Sequence, residues 1–299
     1  EPARLTMNTL NRLVKSYKSG MLRRILSSFS GTLGLVLIFI IILIAIFAPQ
    51  LAPHNPTKIN VTNRLAGPSP SHLFGTDHLG RDLLSRLIFG SRIALLVSLP
   101  AIALGVIVGI MLGTIAGYSG GTLDNVLLFI FDTVRAFPPL LLAITIITLT
   151  GGANMLVLII VLGVTRFPGY GRLVRAQSAQ VSKREFVMAS EAAGSTTTRT
   201  LLKHILPNAI GPVFINAAMD IPVIITFAAA LSFLGLGVPP PIPGWGRILR
   251  SGYSYIRTSP WMVTFSAIFL VMATLGFTFL GEALRDALDP KLKKSPQLQ

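Results

Sequence analysis

The most restrictive feature of this sequence is a run of 16 almost wholly apolar residues, LGLVLIFIIILIAIFA at 33–48, which several further apolar segments follow. A helix needs roughly 20 mainly apolar residues to cross a bilayer. Only 12% of the 299 residues are charged, whereas about 25% is usual in soluble domains. The sequence therefore predicts an all-α polytopic integral membrane protein.

Six transmembrane helices are predicted. The second contains glycines at 105, 109, 113 and 117, and this i, i+4 row predicts a face on which a neighbouring helix packs closely. The fourth is interrupted by Arg166 and Pro168 and is the least regular. The predicted spans cover residues 31–50, 93–117, 125–150, 154–173, 208–235 and 261–281.

The distribution of basic residues predicts the orientation. If both termini are cytoplasmic, 17 of the 26 Lys and Arg residues fall on the cytoplasmic side and 8 on the other, with Arg135 inside a span. Cytoplasmic loops are enriched in Lys and Arg, so an N-in/C-in topology is expected. The basic stretch before residue 31 is long and the first apolar run exceeds that of a secretory signal, so we expect this run to remain as an anchor.

A single transmembrane domain is expected between two cytoplasmic ends, because no internal repeat or low-complexity linker divides the chain. Residues 1–30 form the N-terminal segment and 284–299 the C-terminal tail. The domain at 31–283 includes a cytoplasmic loop at 183–207, between the fourth and fifth spans, and an external loop at 53–92. The topology places the proline-rich turn at 237–246 on the external side too.

Several function classes are excluded by what the sequence lacks. It has no cysteine and no G-x-x-x-x-G-K-[ST] phosphate loop, so no thiolate metal site is possible and ATP must be bound by another chain. No histidine pair has zinc-motif spacing, so no metal site is predicted. His72, Asp77 and His78 share one external loop, which leaves a transient metal contact as the alternative, but a solvated loop is expected there. Basic residues cluster between spans, which favours topology signals over nucleic-acid binding. The four histidines are His54, His72, His78 and His204.

Ionisable residues inside the spans are candidates for the translocation path. Asp132 and Arg135 are three residues apart in the third span, so their spacing allows a pair on one helix face. They also lie near its predicted cytoplasmic end, so a structural role is open beside the path role. Asp220 lies about 12 residues, or roughly 18 Å, into the fifth span, with Asn216 one turn before it. Either a path-lining or a wall-bracing role is open for this polar pair. An intramembrane hydrolase would need a nucleophile with its base, a metal triad or paired aspartates, and none is evident.

The cytoplasmic loop has the pattern of two short helices joined by a turn. Residues 183–193 favour helix, and Gly194 can adopt the positive φ of a C-cap. Ser195 and Thr196 to Thr198 can cap a second helix, which we expect to run to Pro207. This elbow is expected either to offer a compact surface to a cytosolic partner or to rest on lipid as an amphipathic segment.

Four blocks of the sequence resemble those of a known family. Glu191, Ala192, Ala193 and Gly194, followed by Ile205, Leu206 and Pro207, resemble the EAA loop of bacterial ABC-importer permeases. Three further stretches resemble the C-type permease of the peptide/nickel subfamily: FGTDHLGRDLLSRLIFGSR at 74–92, LSFLGLGVPPPIPGWGRIL at 231–249 and LRDALDPKL at 284–292. The resemblance covers about residues 30 to 292.

This resemblance implies a non-catalytic subunit of the cell inner membrane that imports di- or oligopeptides by alternating access. The EAA loop would be the coupling helix that contacts an ATPase, with Glu191 meeting basic residues of that partner. The implied partners are a homologous second permease chain, two ATPase subunits that bind ATP and Mg, and an external substrate-binding protein. The loop at 53–92 and the turn at 237–246 are candidates to contact the binding protein.

Two alternatives remain open. The same machinery could import nickel, or another solute such as glutathione; a nickel path is expected to have more histidine or carboxylate lining than Asp220 and one external loop supply, which favours peptides. From another class, a channel or secondary transporter would work without an ATPase. Secondary transporters commonly contain inverted repeats and paired broken helices, which the sequence does not display.

Overall fold

The computed structural model describes residues 25–288 of the chain, and their regular structure is helical apart from one isolated bridge between Thr76 and Asp82. A 3-10 turn lies at Val61–Asn63 and a π-helical segment at Leu201–Ile205. The α-helices are α1 (Phe29–Ile46), α2 (Ala48–Leu51), α3 (Leu83–Ser119), α4 (Gly121–Ala136), α5 (Pro139–Leu149), α6 (Met155–Val181), α7 (Glu185–Ala192), α8 (Thr197–Thr200), α9 (Leu206–Ala209), α10 (Gly211–Phe233), α11 (Trp245–Tyr253) and α12 (Trp261–Leu288).

Within this described part, five helices are long and apolar enough to cross a membrane: α1, α3, α6, α10 and α12. The pair α4 and α5 brings the number to six if it counts as one broken span. The all-helical polytopic class is thus confirmed. Residues 1–24 and 289–299, which make up most of the two predicted cytoplasmic ends, lie outside the described residues.

The third span is not the continuous helix predicted for 125–150, because α4 and α5 meet at an angle of 93°. Phe137 is extended, with φ −82° and ψ 135°, and Pro138 and Pro139 follow it. A proline disfavours the helical conformation of the residue before it. The Pro–Pro pair therefore ends α4, and α5 starts in a new direction.

Other boundaries also differ from the prediction. The first span divides at Phe47 into α1 and α2. The helix α3 starts ten residues before the predicted start of the second span, because Asp82 caps it by accepting a hydrogen bond from the Ser85 amide at 2.8 Å. The fourth span continues through Pro168 to Val181, eight residues beyond the predicted end. Proline is tolerated in transmembrane helices where neighbouring helices and side chains satisfy the freed backbone groups. The last helix, α12, likewise extends beyond residue 281.

The glycine row of α3 packs directly on α6, as predicted. A Cβ atom added at Gly109 would lie 2.6 Å from the Tyr170 Cβ, and one at Gly113 would lie 2.4 Å from the Gly171 carbonyl oxygen. At Gly117 the nearest atom would be the Arg175 carbonyl oxygen, at 2.3 Å. Only hydrogen fits at these three positions, so the two backbones are in close contact along about two turns.

Two buried clusters hold the helices together. One lies between α3, α5, α6 and α10, and the other between α1, α3, α11 and α12. Two tryptophans attach the segments predicted to be external to the second cluster: the Trp245 indole donates to the Leu87 carbonyl at 3.0 Å, and the Trp261 indole donates to the Thr76 carbonyl at 3.2 Å. These two bonds hold the loop predicted to be external against the ends of the helices.

Candidate functional site

The predicted elbow is present as α7, a turn and α8. α7 ends at Ala192, and Gly194 follows with φ +84°, a conformation that side chains rarely adopt. The Thr196 side chain caps α8 by accepting a hydrogen bond from the Arg199 amide at 3.4 Å. The glycine turn and the threonine cap thus lie where the sequence places them.

Helical conformation continues past Pro207, where the second helix of the elbow was expected to end. The amide of Leu206 donates to the Leu201 carbonyl, five residues back, and Pro207 is the second residue of α9. A proline ring clashes with the carbonyl four residues earlier in an α-helix. The wider π turn precedes that ring directly, so the chain enters α9 without a break.

Apolar contacts anchor the inner side of the elbow. Val187 of α7 and Ile205 of the π segment are fully buried and pack with Val181, Leu201 and Tyr118. The opposite side is exposed: Ala192, Ala193 and Gly194 are accessible, and three large apolar side chains of the elbow are exposed as well. Those side chains are Phe186, Met188 and Leu202, with exposed fractions of 43%, 58% and 59%.

Glu191 has a partner within the chain, in addition to the partner contact that the resemblance implies for it. The hydroxyl of Tyr118, at the end of α3, donates to Glu191 Oε1 at 2.8 Å. His204 and Ser190 form a second link across the elbow, with 3.2 Å between Nε2 and Oγ. Tyr118 was not identified from sequence, because nothing in the sequence places the end of the second span beside the loop.

A cavity of about 560 Å³ lies where α4, α5, α6 and α10 meet. It contains three of the four predicted path residues, Arg135, Asn216 and Asp220, but Asp132 is not part of its lining. The bend between α4 and α5 opens this space. Its lining is completed by Val134, Phe137, Pro139, Leu142, Thr165, Arg166, Gly169, Tyr170 and Met219.

Asp220 is held by two residues of α6. The Tyr170 hydroxyl donates to its Oδ2 at 2.7 Å, and the Arg166 Nη1 lies 3.6 Å from its Oδ1. Arg166 and Tyr170 are one turn apart, so they project from the same face of the helix. Tyr170 was not identified from the sequence. The feature that could have indicated it is an aromatic side chain with a hydroxyl group, one helical turn after Arg166.

The predicted pairing of Asp132 with Arg135 is wrong. Asp132 forms an ion pair with Arg172 of α6, which lies beside α4, and its side chain is 52% exposed. Asp124, one helix turn into α4, pairs with Arg175, with 2.9 Å between Oδ1 and Nε. Two ion pairs thus connect α4 to α6, and Arg135 faces the cavity instead.

Around Asp77 the loop predicted to be external is packed rather than solvated, contrary to expectation. Asp77 is 2% exposed, and its Oδ2 lies 2.8 Å from the Arg81 Nε and 3.3 Å from the Arg86 Nε. His78 stacks on Tyr255, and burial lowers its pKa below 6.5, although Asp77 opposes this shift. The arginines supply the charges that allow Asp77 to be buried.

Two known protein families match parts of the chain. Residues 109–294 match the family described as "Binding-protein-dependent transport system inner membrane component". Residues 16–68 match the "N-terminal TM domain of oligopeptide transport permease C".

Two curated relatives cover most of the chain. A dipeptide transport system permease protein, DppC of Alkalihalophilus pseudofirmus, is 43% identical over 87% of this chain and 85% of its own length. An oligopeptide transport system permease protein, OppC of Bacillus subtilis, is 37% identical over 98% of this chain and 97% of its own.

A solved structure shares the fold. A chain of the MetNI methionine ABC transporter, in inward-facing conformations, superposes with a TM-score of 0.56 at 20% identity and covers 69% of this chain and 98% of its own. With the family match over most of the helical core, these similarities lead to one assignment. The chain belongs to the binding-protein-dependent transport system inner membrane components, the non-catalytic, multi-pass permease subunits of ABC transporters.

Proposed function

We propose that this permease moves di- or oligopeptides into the cell by alternating access, driven through its elbow by a partner ATPase. Family membership implies an ATPase and a substrate-binding protein as partners. Beyond this, we propose that the complex contains one homologous permease chain and two ATPase subunits. Both termini and the elbow lie in the cytoplasm, and the loop at 53–92 faces the binding protein.

The exposed surface of the elbow is the observation that most supports the coupling role. Ala192, Ala193 and Gly194 leave an accessible surface without bulky side chains, with Phe186 and Met188 beside it. Small and apolar groups allow close approach of another protein chain. No atom lies within 4 Å of the position of a Cβ at Gly194, so the turn itself is open to a partner.

The inner contacts of the elbow provide a route for its movement into the membrane. Glu191 is hydrogen-bonded to Tyr118 at the end of α3, and Val187 packs on Val181 at the end of α6. These two helices are the closely packed glycine pair. A force on α7 therefore acts on both at once, as rigid-body switching between two states requires.

The chemistry of the cavity supports a peptide as cargo. Its volume of about 560 Å³ lies within the roughly 300–1,000 Å³ of small-molecule sites. Arg135 has no carboxylate partner among residues 25–288, and Asp220 offers a carboxylate in the same space. A peptide has one charged group of each sign at its ends. Two curated relatives with dipeptide or oligopeptide transport in their names support the same cargo.

The test is ATP-dependent uptake of a labelled dipeptide into proteoliposomes that contain the complete transporter. Ala192→Arg is expected to reduce both uptake and copurification of the ATPase, because the new side chain projects from the exposed face without disturbing the chain's own packing. Ala192→Ser is the matched control and should retain both activities. Wild-type uptake by the Ala192→Arg transporter would contradict the coupling role.

The same assay tests the cavity. Asp220→Leu should reduce uptake while the ATPase still copurifies, because this change leaves the elbow unaltered. Asp132→Leu removes a carboxylate from the neighbouring helix outside the cavity lining and should have a much smaller effect. Unchanged uptake and assembly of the Asp220→Leu transporter would remove Asp220 from the path.

A further inference from the structure

Two separate segments of the external loop converge on the carboxylate of Asp82, at the start of α3. His72 Nδ1 lies 2.9 Å from Asp82 Oδ1, and His54 Nδ1 lies 3.6 Å from the same oxygen. The two imidazole rings are tilted by 36° to each other, with 4.8 Å between their centroids. The residues are far apart in sequence, so the fold itself assembles this cluster.

The two oxygens of Asp82 have different environments. Oδ2 accepts hydrogen bonds from the amide and the hydroxyl of Ser85, at 2.8 and 2.6 Å, as the cap of α3. Oδ1 is left to the two histidines. The Asp82 side chain is 1% exposed, and within the described part of the chain no lysine or arginine pairs with it. A divalent cation bound at Oδ1 would neutralise this buried carboxylate.

We propose that His54, His72 and Asp82 form a binding site for a first-row divalent cation such as Zn²⁺. One ligand atom from each residue lies within 4.8 Å of the other two. Zinc bonds of 2.0–2.2 Å to N and O imply about 3.3 Å between ligand atoms of a tetrahedral site. The His72–Asp82 and His54–Asp82 separations bracket this value. The His54 side chain, 45% exposed, has room to rotate inward, and water supplies the fourth ligand.

The surroundings of the site hold its ligands in place. Asn63 Nδ2 lies 3.4 Å from His72 Nε2, so once Nδ1 binds the cation, rotation of the amide lets Nε2–H donate to Asn63 Oδ1. The Ser85 hydroxyl, which donates to Asp82, also accepts a hydrogen bond from the His54 amide at 3.0 Å. Such outer contacts orient metal-binding histidines and are worth about 10- to 100-fold in affinity.

A cation bound at this site would link the segment after α2 to the start of α3. His54 follows α2 by three residues, whereas His72 belongs to the loop that leads into α3. A cation bound by both would cross-link these segments on the side assigned to the exterior. The structure thus points to a metal-dependent brace of the external loop, independent of the elbow and of the cavity.

The direct test is zinc titration of the purified complete transporter by calorimetry, with Co²⁺ absorption as a signature of coordination. Wild type should bind one more zinc ion per copy of this chain than either the His54→Gln or the Asp82→Asn transporter, or bind it at least about tenfold more tightly. Asparagine is also a good helix cap, so Asp82→Asn removes the charge while α3 keeps its start. His78→Gln, in the same loop but outside the cluster, is the matched control and should bind as wild type does.

Thermal unfolding gives a second readout. Zinc should raise the Tm of wild type and of the His78→Gln variant, because a ligand that binds only the folded state stabilises it, and should not raise that of the His54→Gln variant. The assignment is overturned if wild type shows no zinc-dependent signal. It is equally overturned if stoichiometry and affinity are the same in the His54→Gln and Asp82→Asn proteins.

Discussion

Replacing Gly113 by alanine should push apart the two helices that form the centre of this permease. The new Cβ would lie 2.4 Å from the Gly171 carbonyl oxygen, 2.9 Å from the Val174 Cβ and 3.1 Å from the Arg175 amide nitrogen. Ordinary van der Waals contact begins near 3.4 Å, so the closest pair must separate by about 1 Å. Two of the three obstructing atoms are backbone atoms, and no rotamer change moves them.

The expected cost follows from the packing. Overpacking typically costs about 1–3 kcal/mol, and the upper end applies because a 1 Å gap also weakens dispersion contacts along the rest of the interface. Alanine's helix propensity offsets about 1 kcal/mol of this. The net loss is about 2 kcal/mol of unfolding free energy, or about a 30-fold change in the unfolding equilibrium.

Reversible unfolding of the purified chain by SDS in mixed micelles, followed by circular dichroism, measures this loss. Gly169→Ala is the matched control, because Gly169 is also helical and no atom lies within 4 Å of its Cβ position. Gly105→Ala, with its nearest atom at 3.1 Å, should fall between the two. The reasoning is refuted if Gly113→Ala unfolds within about 0.5 kcal/mol of Gly169→Ala.

Two further outcomes are expected. Asp124→Asn should reduce the unfolding free energy by about 1–3 kcal/mol in the same assay, because the Asp124 side chain is only 10% exposed where it pairs with Arg175. The Asp132 side chain is 52% exposed, so Asp132→Asn should reduce the unfolding free energy by less than about 1 kcal/mol. Equal losses in the two variants would contradict this argument from burial. Burial lowers the pKa of His78 in the folded chain. As the pH falls through 6.5, His78 therefore binds a proton in the unfolded chain before it does so in the folded chain. Stability should therefore decrease from about pH 7 to pH 5, and His78→Gln should flatten this decrease; an unchanged pH profile would contradict it.

Sequence patterns with a direct physical cause were predicted correctly. Glycine spacing in α3 indicated the close helix contact, because glycines at every fourth position leave one face without side chains. Gly194 and Thr196 identified the turn and the cap, because each acts through its own backbone neighbourhood. Asn216 and Asp220 share a cavity because they are one turn apart in one helix.

Contacts between distant segments could not be predicted in this way. Tyr118 meets Glu191, and Tyr170 meets Asp220, only because the helices pack in a particular order. The direction of α5 depends on Phe137 and on the two prolines that follow it. The third span was predicted from the sequence as one helix, so the angle of 93° between α4 and α5 was not predicted. The loop around His72, Asp77 and His78 was expected to be solvated, but Asp77 is buried because Arg81 and Arg86 neutralise its charge.

The π turn at Leu201–Ile205 fixes the rotational phase between the elbow and the cavity wall. It contains one residue more than an α-helical turn, and each residue of an α-helix contributes about 100° of rotation and 1.5 Å of rise. Deleting a single residue there would turn α8 by about 100° relative to Asp220, so α7 could keep its contacts with Tyr118 and Val181 only if the turn at Gly194 changed. The alignment of the two surfaces thus depends on the length of this π turn as well as on the contacts of α7.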